Sequence, residues 1–226
     1  MPKTFHRYGV FYTPSGAFAK AGAQWLGWDL DTGQPVGEPD LSITKRPQKY
    51  GFHGTIKPPF FLANGKTLAD LEAAFATLCS GLETVSVAGL SPACIGSFVA
   101  LVPTGEINTL RMMAGRVVSE LDPLRAPTSD TELVRRRKSK LTQVQDAHLM
   151  KWGYPYVFDQ FKFHMTLSGN LTRERQNAVQ DQAKSVFASV IPSPFVIDAL
   201  SLVGERLDGN FELIARQTLG KTSVPA

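Results

Sequence analysis

The sequence predicts an α+β fold assembled from two related halves. Two observations carry this: a short histidine-centred phrase is written twice, and the same order of elements follows each copy. The copies are Phe52-His53-Gly54-Thr55-Ile56 and Phe163-His164-Met165-Thr166-Leu167. In an extended strand successive side chains alternate between faces. Each His and its Thr therefore share one face, while the Phe and the apolar residue after Thr anchor the other. After each copy the pattern runs helix, strand, strand. Val85 lies 32 residues beyond His53 and Val196 lies 32 beyond His164; the next strands sit at Phe98, 45 on, and Phe211, 47 on. Such self-similarity reads as an internal duplication, with approximate lobes 1–105 and 106–226 related by a pseudo-twofold axis.

The elements follow in order. Residues 6–12 alternate as a strand ended by Thr13-Pro14-Ser15-Gly16, and the Ala-rich stretch 17–28 is helical. Residues 31–48, with Gly33, Pro35, Gly37, Pro39 and Pro47, form a long loop. The first motif strand follows and is expected to stop at Pro58-Pro59. Thr67 caps a helix to Cys79 whose stripe is Leu68, Leu71, Phe75 and Leu78. Strands are expected over 84–90 and 97–103. The middle section 106–153 is helical, with one stripe of Leu110, Met113, Val117 and Leu121 and a second of Leu141, Val144, His148 and Leu149. Thr172 caps a helix to about residue 189. Strands over 195–203 and 211–218 finish the chain, the second entered from an Asp208-Gly209 turn.

Composition bounds the function. With 226 residues, 43% hydrophobic and 10% aromatic, the chain can bury a substantial core. No run of about eighteen apolar residues occurs, so no membrane span or membrane partner is expected. Residues 1–7 hold no apolar leader stretch. Cys79 and Cys94 are two thiols without ligand-like clustering, which points to a reducing cytoplasm. A net charge of +4 suits anionic substrates mildly and is no footprint of a DNA-binding protein.

Two His/Thr strands facing one cleft supply a base, an acid and two hydroxyls around a single phosphate, the equipment of a metal-free phosphodiesterase. Extending each phrase along its polar face gives Gly51, His53, Thr55, Lys57 and Lys162, His164, Thr166, Ser168.

These phrases resemble the two-histidine phosphoesterase superfamily. The longer stretches Arg7-Tyr8-Gly9-Val10, Lys49-Tyr50-Gly51-Phe52-His53-Gly54-Thr55-Ile56-Lys57, Gly153-Tyr154-Pro155-Tyr156 and Phe161-Lys162-Phe163-His164-Met165-Thr166-Leu167 are similar to one branch of it, associated with phosphonate-metabolism operons. The resemblance covers nearly the whole chain. It implies a bilobal two-histidine phosphoesterase fold with a concave, mainly antiparallel sheet groove and helices outside. It also implies no cofactor or metal, and a phosphoester substrate.

On this reading His53 and His164 are the catalytic acid and base, in an order the sequence leaves open. Thr55 and Thr166 would donate hydrogen bonds to the non-bridging oxygens. Lys57 would add a positive charge and Ser168 is its counterpart, although Lys57 reads equally as a solvated strand-end lysine. Tyr12, with Tyr8 and Tyr50, is either a stacking or phosphate contact or a half-buried strand aromatic. The run Arg135–Lys140 reads as a solvated helix end rather than an RNA contact. His148 reads as structural, His6 as incidental, and Trp25 and Trp28 as core. The expected substrate is a small cyclic phosphate of ribose or a nucleotide, with RNA ends carrying 2′,3′-cyclic phosphate next. The rivals are a metal site, disfavoured by the 111 residues between the histidines and the lack of nearby carboxylates, a non-catalytic nucleotide- or RNA-binding module, and RNA ligation. Oligomeric state stays open, as does a lid role for residues 31–48.

Overall fold

A computed structural model describes residues 4–220; the part of the leader reading that rests on Met1, Pro2 and Lys3 lies outside the described residues. The elements in chain order are β1 (Arg7–Tyr12), α1 (Gly16–Leu26), β2 (Trp28–Asp29), β3 (Gln34–Pro35), α2 (Leu41–Thr44), a 3-10 turn (Gln48–Tyr50), β4 (Gly54–Phe60) and α3 (Leu68–Ser80). They continue with β5 (Val85–Val87), β6 (Gly89–Ile95), β7 (Phe98–Thr104), α4 (Asn108–Glu120), α5 (Asp130–Arg137) and α6 (Gln143–Trp152). The last are β8 (Met165–Thr166), α7 (Arg173–Phe187), β9 (Phe195–Ile197), β10 (Ala199–Glu205) and β11 (Phe211–Thr218).

Seven strands form one sheet in the order β11-β10-β1-β4-β8-β7-β6, with every recorded pairing antiparallel. The two motif strands, β4 and β8, are neighbours at its centre, joined at the single pair Gly54↔Met165. Met165 lies 111 residues after Gly54, the same offset that separates His53 from His164. The small β5–β9 ladder obeys that offset too: Val85 pairs with Ile197 and Ser86 with Val196, each facing the residue 111 beyond its neighbour. Strict symmetry ends there, because β1 stands between β4 and β10 while β7 lies directly beside β8. Each side of the sheet thus draws strands from both halves of the sequence.

One face of the sheet carries the helices. Val10, Ile56, Leu101 and Leu202 share a buried cluster with Leu71, Phe75 and Leu78 of α3, Leu110, Met113 and Val117 of α4, and Val179, Ala183 and Phe187 of α7. Both motif phenylalanines point here, Phe52 at 4% and Phe163 at 2% exposure, as alternation predicts. Burying each is worth about 2 kcal/mol or more relative to exposure. The expected stripe of α4 is buried, and Thr67 closes a capping box with Asp70 at the start of α3. In α6 only Leu149 is buried and Val144 is exposed, so the second middle stripe is largely outward.

Part of the opposite face is covered by a second, smaller cluster: Phe11, Trp28, Leu30, Val203 and Phe211, with Tyr50 packed against it. The Trp28 indole N–H donates to the Phe211 carbonyl at 2.6 Å, and the Tyr50 ring stacks on Phe211 at 5.0 Å. The long loop therefore leaves and returns on this face, and it contains α2 rather than running wholly irregular.

The first motif strand does not stop at Pro58-Pro59; β4 continues to Phe60. The two prolines fall between the pairs Val10↔Lys57 and Tyr8↔Phe60, and β8 is too short to need their missing N–H groups. The strands expected over 84–90 and 195–203 each divide, at Ala88 and Asp198, where the chain passes from the small ladder to the large sheet.

Gly54 faces the helices, and the Phe163 ring lies where its Cβ would stand. Gly54→Ala is expected to destabilise the fold by about 1–3 kcal/mol through overpacking, read from the midpoint of urea unfolding at unchanged slope.

Candidate active site

The pair Gly54↔Met165 fixes what faces what. Continuing that antiparallel register one residue each way sets His53 opposite Thr166 and Thr55 opposite His164. Directly opposed residues share a face about 5 Å apart. The four polar side chains thus form a rectangle on the face away from the helices.

Each imidazole is held by the same device. His53 Nδ1 lies 2.9 Å from the Gly51 carbonyl oxygen, and His164 Nδ1 lies 2.9 Å from the Lys162 carbonyl oxygen. A carbonyl can only accept, so both Nδ1 atoms carry the proton and both Nε2 atoms offer a lone pair. His53 Nε2 stands 3.1 Å from Thr55 Oγ1, where the hydroxyl donates to it. Gly51 makes its tether possible: its φ is +64°, and a side chain there would strike Leu30.

The His53 ring lies flat on Phe11, with centroids 3.8 Å apart and planes 21° from parallel. Burial pushes its pKa down to about 4; the Gly51 carbonyl opposes that shift and the charge of His164 adds to it. Burial also lowers the pKa of His164, against the opposing Lys162 carbonyl. Phe98 flanks the His164 ring at 5.7 Å. Both histidines are neutral at pH 7 in the free protein.

His53 and Thr166 open into a cavity of about 240 Å³. One wall is Arg46, Pro47, Tyr50 and Gly51 from the end of the long loop; the other is Phe98 with Ser168, Gly169 and Asn170. The walls are tied together where the Gly169 N–H donates to the Ile43 carbonyl at 2.6 Å. No carboxylate lines the cavity, which suits an anion.

Three expected site residues behave differently. Lys57 is 2% exposed and turns to the helix face, where its ammonium donates to the Val118 carbonyl at 2.9 Å and sits 3.7 Å from Asp122. The reason is a β-bulge: Phe11 pairs with Thr55 but Val10 pairs with Lys57, so one extra residue of β4 breaks the alternation. Burial lowers the Lys57 pKa to about 8. Tyr12 pairs with Gly54 and packs in the helix-side core against Phe163 and Phe195; burial raises its pKa to about 12. Ser168 lines the cavity, but its hydroxyl accepts from the Val99 N–H and donates to the Gly169 carbonyl, both at 2.9 Å.

The arginine run meets the solvated-helix reading: Arg135 and Arg136 pair with Glu132, and Arg137 pairs with Asp146. His148 lies 3.5 Å from Asp159, outside the cavity lining. Among the described residues no three His, Cys, Asp or Glu side chains form a metal-holding group, and no helix is long and apolar enough to cross a membrane. Sequence reasoning missed Arg46, Phe11, Phe98 and Asn170, none of which carries a local motif.

Residues 55–212 match the family described as "Protein of unknown function (DUF1045)". Among curated proteins, the chain is 31% identical over 218 residues to the "Ribose 1,5-bisphosphate phosphokinase PhnN" of Janthinobacterium sp. (strain Marseille), covering 90% of this chain and 48% of that protein. It is 32% identical over 173 residues to the protein of the same name from Laribacter hongkongensis (strain HLHK9), covering 73% and 40%. The chain therefore spans about half the length, or less, of these relatives. Among solved structures, E. coli LigT complexed with ATP aligns at TM-score 0.44 and 13% identity over 96% of this chain and 99% of that one. The protein TT0787 of Thermus thermophilus aligns at 0.44 and 14%, over 95% and 98%.

Titration with inorganic phosphate, followed by NMR of the histidine ring protons, is expected to raise the pKa values of His53 and His164 and leave His6 and His148 in place. Lys57→Gln is expected to lower stability by about 1–3 kcal/mol while the phosphate response persists. Loss of that response would return Lys57 to the anion site.

Proposed function

We propose that this chain, a member of the DUF1045 family, hydrolyses a small cyclic phosphate of ribose or a nucleotide by two-histidine acid–base catalysis, without a metal. The observation that carries this reading is the rectangle of His53, Thr55, His164 and Thr166, with both Nε2 lone pairs free of carbonyl partners. The matched tethers, the shared 111-residue offset and the central strand pair favour a duplicated bilobal two-histidine phosphoesterase fold.

In the reaction, one imidazole takes a proton from the attacking water as its oxygen bonds to phosphorus. The other, protonated, gives its proton to the sugar oxygen as the P–O bond breaks. Burial depresses His53 to about 4, which keeps it unprotonated and assigns it the base; His164 is then the acid, its proton favoured by the bound anion. Thr166 and, once released from His53, Thr55 donate to the non-bridging oxygens. The cavity volume of about 240 Å³ fits a sugar phosphate better than a stretch of RNA.

The names of the longer relatives narrow the sugar. A phosphate-binding loop of the form Gly-x-x-x-x-Gly-Lys-Ser/Thr is incomplete here: Gly65-Lys66-Thr67 has Phe60 where the first glycine belongs. Phosphokinase activity in those proteins is assigned to the portion this chain does not span. Opening a ribose 1,2-cyclic phosphate at the P–O2 bond leaves a 1-phosphate, so a substrate also phosphorylated at O5 would yield ribose 1,5-bisphosphate.

The test is ³¹P NMR with EDTA present, using ribose cyclic phosphates and 2′,3′-cyclic nucleotides. Wild type is expected to turn over at least one, and His53→Ala and His164→Ala to lose on the order of 10²–10⁴-fold. The kcat/KM profile is expected to be bell-shaped, with its maximum between about pH 4 and the ordinary histidine value of 6.5. It falls below as the base protonates and above as the acid loses its proton. Turnover unaffected by either substitution would sink the proposal.

A further inference from the structure

We propose that Arg46 binds a second phosphate group on the substrate, a phosphomonoester remote from the cyclic phosphate, so that the chain selects a bisphosphorylated ribose over a simple cyclic phosphate or an RNA end. The inference rests on the phosphodiesterase reading of the same cavity.

Arg46 lines the cavity opposite the second-motif loop, yet its guanidinium has no hydrogen bond or ion pair. Among the described arginines only Arg173, an exposed residue at the start of α7, shares that condition; the others bond carboxylates, carbonyls, hydroxyls or an amide. A guanidinium left unpaired beside a cavity free of carboxylates is available for a fork-like, bidentate hold on a phosphate.

Its root is fixed although its tip is exposed. Pro47 after it is buried, and the Gly169 N–H donates to the Ile43 carbonyl three residues before it. A Cβ on Gly169 would stand 3.7 Å from the Arg46 Cβ, so the two loops meet directly at this residue. Farther along the same segment, Arg175 of α7 donates to the Ser42 hydroxyl at 2.8 Å. A charge on an anchored stem loses little freedom on binding.

A second donor stands on the facing wall. The Asn170 side-chain oxygen accepts from the Ser97 hydroxyl at 2.9 Å, which leaves its NH₂ group to donate. The cavity thus carries two anion handles. His53 and Thr166 hold the reacting phosphate; Arg46 and Asn170 hold the second, with Tyr50 and Phe98 as apolar walls between them.

The experiment compares kcat/KM for ribose 1,2-cyclic phosphate with and without a 5-phosphate, in wild type, Arg46→Gln and Arg46→Lys, all checked for matching thermal unfolding. Wild type is expected to prefer the 5-phosphorylated sugar by on the order of 10- to 100-fold, the range of a charge-assisted hydrogen bond. Arg46→Gln should collapse that ratio toward one and Arg46→Lys restore part of it. An unchanged ratio in Arg46→Gln, equal rates in wild type, or faster turnover of a 2′,3′-cyclic RNA end overturns the proposal. If neither sugar is hydrolysed, the catalytic reading fails, and calorimetric titration with ribose 5-phosphate against ribose decides Arg46 separately. A preference for ribose 5-phosphate that Arg46→Gln abolishes retains the anion site, and equal binding by the two proteins removes it.

Discussion

The contact on which the site depends is the single antiparallel pair between Gly54 and Met165. It joins the strands on either side of the sheet, and it alone sets each histidine across from the other strand's threonine. A slip of one residue would send every polar side chain of one motif into the core. The register is defended from the helix face. Phe52 packs against Phe18 and Phe187, and Phe163 lies over the bare Gly54 backbone beside Tyr12 and Phe195. The apolar residues of the phrase hold the register, and the polar residues use it.

Alternation along an extended strand located both histidines and both threonines correctly, because these residues lie where the backbone is regular. The same rule misplaced Lys57 two residues later, since the bulge between Phe11 and Val10 shifts the phase of β4. Nothing in the local sequence announces that shift; it depends on which strand pairs with β4. Tyr12 was misread for a related reason: its face is set by pairing with Gly54, and aromatic identity alone says nothing about face. The cover over the other face was invisible for another reason. Trp28, Tyr50 and Phe211 are separated by most of the chain and meet only in the folded protein. Arg46 escaped notice because an arginine in a proline- and glycine-rich loop carries no motif.

The electrostatics of the site follow from burial more than from charge pairing. Both imidazoles are surrounded by rings and backbone, and each gives its Nδ1 proton to a carbonyl two residues upstream. Burial favours the neutral form and the carbonyl fixes which nitrogen stays bare, so the free site holds two unprotonated imidazoles in a cavity with no carboxylate. Catalysis of the proposed kind needs an uneven pair. The asymmetry comes from surroundings, since Phe11 covers His53 face-on while Phe98 only flanks His164.

The long loop is clamped where it departs and where it comes back. Trp28 is fastened to the Phe211 carbonyl, and Tyr50 stacks on the ring of the same residue. The positions between these anchors, Arg46 among them, hang from one shared post. This is the geometry of an exchangeable cassette: length and chemistry can be rewritten between the two clamps without disturbing the strands that hold the histidines. Relatives on this scaffold can diversify their choice of sugar or anion by drift in this segment, while the reacting machinery, secured from the far side of the sheet, stays as it is.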